Sequence, residues 1–446
     1  MNQVSVKFDQ TVGKVKPMHA VNNGPVYKFA ADQRITNLDA FRDAGIPYAR
    51  THDASFYATY GGNHTVDVAF IFPNFDADPT DPASYDFACT DEYMKVIHFA
   101  GVKVFYRLGH RIEHEVKKYG TLPPKDFHKW AVICEHIIRH YTEGWADGFT
   151  YDMDYWEIWN EADLDPDDSP NKRTWGGTKA EFFELYHIAA THLKACFPHL
   201  KIGGPALAGK MDWAEEFLAQ LKAPLDFFSW HRYAADPAKI ALRAKETRAL
   251  LDKYGFTEAE SILNEWNYVR GWHGDEWIYS LKNEKGLKGS AFTASVMMDS
   301  QAGSVDMLMY YDARPCGMNG MFCTDFVCDK LKGYYPFLAF NSLYRLGTCV
   351  ASESDEGTVH VCAASNGSEA AVMLTHFNDD DSTAPMEVSV DLSGFGGEDG
   401  IEVEYFVLDE THDLEKVDSA VYYGERFTPT LTMPNFTTYL LKLKKK

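Results

Sequence analysis

No stretch of about 18 apolar residues occurs anywhere in the 446-residue chain, so nothing in it reads as a membrane-spanning helix. Positive charge is also short. Against 65 Asp and Glu there are only 43 Lys and Arg, and the net charge of −22 repels phosphate backbones and acidic lipid surfaces, which sets aside nucleic-acid and membrane partners. Lys442, Lys444, Lys445 and Lys446 read as a solvated tail. Low-complexity tracts that would signal disorder are missing. The opening residues Met1 to Asp9 lack a basic segment followed by an apolar run, so a cytoplasmic location is expected. The eight cysteines are scattered and fit free thiols in a reducing compartment better than a disulfide framework. Cys316, Cys323 and Cys328 lie close together but match no zinc spacing.

What is present is ordinary globular material, 45% hydrophobic and 24% charged, with aromatics at 14%. The length suits a barrel of roughly 250 to 400 residues plus a small module. Two stretches stand out. Tyr155-Trp156-Glu157-Ile158-Trp159-Asn160-Glu161 is an aromatic and β-branched run that opens into a polar loop from Ala162 to Pro170, and it reads as a buried strand ending in a carboxylate. Ser261-Ile262-Leu263-Asn264-Glu265-Trp266-Asn267 repeats the design. Two carboxylates converging on one bond are the apparatus of glycoside hydrolysis, one protonating the leaving oxygen while the other attacks the sugar or activates water. Among 65 acidic residues a single Glu means little; the paired Asn-Glu ends carry the reading.

Along the chain, Val4 to Phe8 and Val12 to Lys16 read as an opening hairpin. From Met18, strand and helix candidates alternate. The strands are Met18 to Val21, Ile46 to His52, Val102 to His110, the Glu161 strand, Leu200 to Pro205, Leu225 to Tyr233, the Glu265 strand and Val305 to Asp312. Helices are expected over Thr36 to Ala44, Asp91 to Ala100, Asp126 to Tyr141, Lys179 to Cys196, Asp212 to Leu221, Pro237 to Tyr254, Lys288 to Ala302 and Tyr335 to Leu346. Eight such units describe an α/β fold, a (β/α)₈ barrel, whose chemistry gathers at the carboxyl ends of the strands. Beyond it, short alternating strands at Val359 to Ala363, Ala370 to His376, Met386 to Leu392, Ile401 to Leu408 and Thr437 to Leu443 read as a β-sandwich. The expected division is 1–16 for N-terminal strands that complete the sandwich, 17–347 for the barrel and 348–446 for the sandwich. No linker separates them, so they are expected to pack as one unit.

With the Asn-Glu ends on the fourth and seventh strands, the chain resembles the retaining glycoside hydrolases of clan A, which are built on (β/α)₈ barrels. Within that clan it looks most like family 39, the β-xylosidase and α-L-iduronidase group. The residues carrying the resemblance are His19 to Pro25, Arg50-Thr51-His52, Trp156 to Glu161, Ile202-Gly203-Gly204-Pro205, Asp226 to Tyr233 and Asn264-Glu265-Trp266. It implies Glu161 as acid/base and Glu265 as nucleophile, Arg50 and Tyr233 holding the nucleophile, Asn160 meeting the hydroxyl next to the reacting carbon, and His52, His110 and His231 lining the sugar subsite. Trp266, after the nucleophile, and Tyr311, on the eighth strand, join the substrate-binding set. There are departures: Ala162 stands where Pro is common, Asn264 where Thr is frequent, and Tyr310-Tyr311-Asp312-Ala313-Arg314 lacks the Trp expected beneath a sugar ring.

Other readings stand beside this one. Glu157 lies four residues deeper than Glu161, about 13 Å along an extended strand, and reads as a paired charge inside the barrel. A metal hydrolase using His52, His110 and His231 would want a His-x-His pair after the first strand, where Asn22-Asn23 stands. His110 and His114 are read as a solvated loop and helix start. Arg232, Arg270 and Arg314 fall near strand ends and suit a substrate carboxylate, which would favour a uronide. Asp163, Asp165, Asp167 and Asp168 read as a solvated rim and not as a calcium loop. Arg50 near Glu265 would keep the attacker ionised, while the charge of Glu265 would keep Glu161 protonated. The expected protein is a retaining exo-glycosidase without cofactor or metal, most like a β-xylosidase. The alternatives are an iduronidase-like enzyme or a carbohydrate-binding barrel without turnover. Whether it forms a homo-oligomer is open.

Overall fold

The computed structural model describes residues 2–29, 35–52, 64–324, 328–396 and 399–446. Strand β1 (Asn2–Lys14) comes first and lies outside the barrel. Eight parallel strands then close on themselves: β2 (Ala20–Asn22), β3 (Tyr48–Thr51), β4 (Lys103–Leu108), β5 (Tyr155–Ile158), β6 (Lys201–Leu207), β7 (Phe227–His231), β8 (Glu260–Trp266) and β9 (Met307–Tyr310). Each falls inside a strand expected from the sequence or overlaps it. They read as near-continuous apolar runs because both faces of a parallel barrel are covered, one by the interior and one by helices. The helices are α1 (Leu38–Asp43), α2 (Val68–Ile71), α3 (Ala88–Phe99), α4 (Phe127–Thr142), α5 (Lys179–Cys196), α6 (Met211–Gln220), α7 (Pro237–Lys253), α8 (Gly274–Asn283), α9 (Leu287–Ala302) and α10 (Tyr335–Leu346). Their starts carry local signals: Thr178 and Glu181 form a reciprocal capping box on α5, and Asp236 caps α7 ahead of Pro237. Helices α2 and α8 were not expected. No helix of the described residues is long and apolar enough to cross a membrane.

Inside the barrel, Ala20, Phe105, Tyr155, Phe227, Ile262, Met307 and Met309 fill one end as an apolar plug. Two residues further along β3, β4 and β5, charged side chains replace them, and Arg50 and Glu157 lie fully buried there. The interior is therefore sealed at the amino ends of the strands and polar towards the carboxyl ends.

The remaining strands are β10 (Thr348–Ser354), β11 (Val359–Ser365), β12 (Glu369–His376), β13 (Met386–Ser393), β14 (Ile401–Leu408), β15 (Asp413–Tyr422), β16 (Arg426–Phe427), β17 (Thr430–Met433) and β18 (Thr438–Lys445). They form one sheet in the order β15-β14-β18-β12-β11-β10-β1-β13-β16, with β17 also on β13. The opening hairpin is not formed. Residues 2–14 run as one irregular strand, antiparallel to β10 and parallel to β13, with register shifts between Lys7 and Thr11 and between Thr11 and Gly13. The turn-like Asp9-Gln10-Thr11 is absorbed as a bulge against β10, past the end of the pairing with β13 at Lys7.

Alternation divides the faces of this sheet. Val372 and Leu374 join the sandwich core with Val4, Val6, Val390 and Leu441, while Ala371 and Met373 pack into the barrel's core. The two parts are also tied by charge. Asp379, in the loop after β12, accepts from Tyr268 Oη at 2.6 Å and Arg270 Nη2 at 2.9 Å, and Lys288 Nζ lies 2.7 Å from Asp381.

Candidate active site

The two Asn-Glu ends are not built alike. Strand β5 stops at Ile158, three residues before Glu161. Trp159 and Glu161 take left-handed φ values of 70° and 49°, so the chain coils at the rim instead of continuing as a strand. That conformation costs non-glycine residues on the order of 1–3 kcal/mol each and is sustained here by fixed hydrogen bonds. Trp159 N donates to Leu108 O, Glu161 N to Ala206 O and Thr174 Oγ1 to Glu161 O. Glu265, by contrast, lies within β8. Pairing with β7 slips by one residue between Trp230–Leu263 and His231–Glu265, and this bulge at Asn264 lets Asn264 and Glu265 both project inward.

Arg50, fully buried, organises what they reach. Its Nε donates to Glu157 Oε2 at 2.7 Å, Nη1 to Glu265 Oε1 at 2.8 Å and Nη2 to Asn160 Oδ1 at 2.7 Å. Asn264 Nδ2 donates to the other oxygen of Glu157, so that carboxylate is the paired interior charge expected. Tyr233 Oη donates to Glu265 Oε2 at 2.9 Å, and His52 Nε2 lies 3.2 Å from Glu265 Oε1. His231 bridges the pair: its Nδ1 is 2.7 Å from Glu161 Oε1 and 3.5 Å from Glu265 Oε2. One oxygen of each Glu and a nitrogen of His231 all lie within 4.8 Å of one another. The Tyr311 ring borders the group, edge-on to His52 and Tyr233 at centroid distances of 5.8 and 6.4 Å.

Burial pushes the Glu265 carboxyl above its ordinary range, and the neighbouring Glu161 adds to this, while His231 and Arg50 oppose it. Arg50 favours the ionised form of Glu265 as expected, but desolvation of the enclosed carboxylate is the larger effect and the net direction is upward. Against its own burial, Arg50 is held protonated by Glu157 and Glu265. Burial keeps His52 and His231 on the neutral side and Tyr233 protonated as a donor. An attacking Glu265 must be ionised, so kcat/KM should fall as pH drops through its raised pKa. The acidic limb of a pH profile on the wild type is expected above the ordinary 4.5 of a glutamate. A limb at or below 4.5 would contradict the upward shift of Glu265.

Several expected residues fall elsewhere. Trp266 is fully buried against Tyr310 and Phe292, on the helix side of β8, and cannot meet a sugar. It alternates with the inward Glu265, as strand geometry requires. His110 reaches neither carboxylate: its ring nitrogens lie 3.2 Å from Asp67 and 3.2 Å from Glu113. With Phe72, Trp130 and Trp159 it walls a separate apolar cavity of about 290 Å³. No helix starts at His114; the next is α4. Asp163 is not a solvated rim residue but a buried one, accepting from the backbone N–H of Ala208, Gly209 and Lys210. Asp165 pairs with Arg173.

Two groups among the described residues have the donor types to surround a cation. One is Glu161, His231 and Glu265; the other is Glu135, His192 and Cys196 on α4 and α5. In the first, Arg50 already supplies a fixed positive charge beside Glu265.

Residues 10–303 match the family model described as Glycosyl hydrolases family 39. A β-xylosidase of Geobacillus stearothermophilus is 34% identical over 125 residues, 26% of this chain and 23% of that protein. A β-xylosidase of Caldicellulosiruptor saccharolyticus is 25% identical over 249 residues, 53% of this chain and 47% of its own. The chain thus spans about half or less of the curated relatives it matches. Among solved structures, a glucosidase from Croceicoccus marinus aligns with a TM-score of 0.81 at 22% identity, covering 100% of this chain and 99% of that one. A monomeric β-xylosidase from Caulobacter crescentus aligns with a TM-score of 0.75 at 16% identity, with coverage of 100% and 99%. These likenesses carry the fold: a closed parallel barrel beside a mostly antiparallel sheet made of N- and C-terminal strands.

Proposed function

The chain belongs to the glycosyl hydrolases of family 39, and from that premise we propose that it is a retaining exo-glycosidase acting on β-xylosides by double displacement. The observation that carries the mechanism is the approach of the two glutamates, with an oxygen of each within 4.8 Å of the other. An inverting enzyme needs about 6.5–9.5 Å between its carboxyls to seat a water, whereas direct attack needs about 5–5.5 Å.

In this reading Glu265, held by Arg50 and Tyr233, attacks the anomeric carbon while Glu161 gives its proton to the leaving oxygen. The sugar is then an ester of Glu265, whose charge is gone. Glu161, now ionised, takes a proton from the incoming water, and the ester breaks to release sugar with its original configuration. His231, neutral and 2.7 Å from Glu161, fixes which oxygen of that carboxyl faces the bond. Asn160 is pinned through its Oδ1 by Arg50, which leaves its amide nitrogen to donate to a sugar hydroxyl in this reading.

The xyloside preference rests on the two β-xylosidase relatives. A uronide finds little support. Arg270 is committed to Asp379, Arg314 lies 3.2 Å from Asp312, and Arg232 stands beside Arg243 and Glu246. All eight cysteines are free, which favours work in a reducing compartment.

The test is a panel of aryl glycosides (β-xyloside, α-L-arabinoside, β-glucoside, β-galactoside and an iduronide), each run with and without a chelator. Turnover of the β-xyloside, unchanged by chelation, is the expected result. Preference for the iduronide would replace the substrate. Loss of rate with chelator would make the Glu161–His231–Glu265 group a metal centre, and no turnover at all would leave a sugar-binding barrel.

A further inference from the structure

The aromatic wall that sequence reasoning sought at Trp266 lies six residues further on. Trp272 belongs to the segment between β8 and α8 and is 50% exposed, although it stands at the edge of the buried catalytic group. Its indole meets Tyr233 edge-on, with ring centroids 5.0 Å apart and planes at 78°, and Tyr233 is the residue whose hydroxyl holds Glu265 at 2.9 Å. Trp277 of α8 packs against it at 5.2 Å with the planes only 27° apart. A large apolar ring facing water is ordinary when isolated; this one is backed by a second indole and in contact with Tyr233.

The segment carrying Trp272 is held at both ends. Before it, Tyr268 and Arg270 are fixed to Asp379 of the sandwich; after it, Tyr279 of α8 donates to Asp381 Oδ2 at 3.1 Å and lies under the Arg270 guanidinium, which is 4.1 Å from the ring centroid. The indole is therefore presented on a braced support, as a binding surface requires if little ordering entropy is to be lost on contact.

We propose that Trp272 is the platform for the glycone, the sugar that becomes attached to Glu265, with the C–H face of a neutral pyranose lying on the indole. The side of the cleaved bond follows from connectivity. Trp272 touches the clamp of the nucleophile, and the anomeric carbon must sit beside that carboxylate. Glu161, next to which the leaving group departs, has its carboxyl oxygen 2.7 Å from His231 Nδ1. Aromatic faces suit the apolar faces of sugars because they bury C–H area without competing for the hydroxyls, which remain for Asn160, His52 and their neighbours.

This inference rests on the proposed glycosidase reading, and the test separates the two. Wild type, Trp272→Ala and Trp272→Phe are compared in two ways: kcat and KM on aryl β-xylosides with several leaving groups, and the Kd of D-xylose and its iminosugar analogue by calorimetry. For Trp272→Ala, KM and both Kd values are expected to rise about tenfold, by one factor across all leaving groups, with kcat within about threefold. Trp272→Phe should restore most of the affinity. The platform is overturned if KM rises by a factor that depends on the leaving group while Kd stays put, which would place Trp272 on the aglycone side. It is equally overturned if kcat falls and the acidic limb moves with Kd unchanged, since Trp272 would then act only by orienting Tyr233. If the wild type turns over no glycoside, the binding arm still decides: weakened sugar binding by Trp272→Ala upholds the platform after the hydrolase reading has fallen, and no sugar binding by the wild type ends both.

Discussion

Replacing Glu265 by Ala is expected to lower turnover of an aryl β-xyloside by about 10⁴-fold or more, because in the proposed mechanism the covalent intermediate forms on that carboxylate. The product made with added azide then tells the two glutamates apart. In Glu265→Ala the cavity left on the nucleophile's side admits azide, which attacks directly and yields a glycosyl azide of inverted configuration. In Glu161→Ala a good leaving group needs no proton, so the first step survives and the intermediate accumulates. Azide, unlike water, requires no base, and it releases a glycosyl azide of retained configuration. Proton NMR of the anomeric centre reads both outcomes. Inverted product from Glu161→Ala, or wild-type rate in either variant, would reverse or remove the assigned roles.

Arg50→Met should damage folding and catalysis together. The guanidinium neutralises Glu157 and Glu265 in the buried interior of the barrel, and removing one partner of a buried ionic group costs about 3–5 kcal/mol because the others remain uncompensated. The midpoint of urea unfolding should fall accordingly. Glu265, without its cation, would hold its proton to higher pH and would lose the donor that positions it, so kcat/KM should drop by about 10²-fold or more beyond any loss of folded protein. The double variant Arg50→Met/Glu157→Gln separates these effects. With one of the two stranded charges removed, stability should recover in part, while activity should not, since Tyr233 alone would hold the nucleophile. If activity recovered together with stability, Arg50 would be a structural residue only.

The parts of this molecule that sequence reasoning reached are those where pattern and geometry coincide. Eight apolar runs separated by helical stretches can close in few ways, and polar residues at their carboxyl ends mark the rim, so Arg50, His52, Glu161, His231, Tyr233 and Glu265 came together as expected. What escaped depends on single-residue details of the backbone. A bulge at Asn264 and left-handed turns at Trp159 and Glu161 have no signature in residues that are not glycine. Two motifs of the same spelling therefore serve different structures.

Trp266 was misplaced because its neighbour in sequence was taken as its neighbour in space, although strand alternation sends it behind the sheet. Asp163 looked like one more acidic residue in an acidic loop, and only the fold reveals three backbone donors pointing at it. Strand β15 eluded pattern reading because its exposed face makes it mostly polar. Trp272 had a usable signal, an aromatic just past the second Asn-Glu end, but nothing local distinguished it from Trp266.

The place of β1 bears on how such a chain comes into being on a ribosome. Its Val4 pairs with Ser354 on one side and Val390 on the other. At about 5–20 residues per second, about 20 to 80 s of synthesis separate this strand from the last of those partners. Throughout that time the barrel can assemble while a segment made before it stays unpaired, with Val4, Val6 and Phe8 in water. A strand made before the barrel is thus placed only after it. Charged and polar residues such as Gln3, Ser5, Lys7 and Asp9, spaced between those apolar ones, are what keep the waiting strand from joining a neighbouring chain.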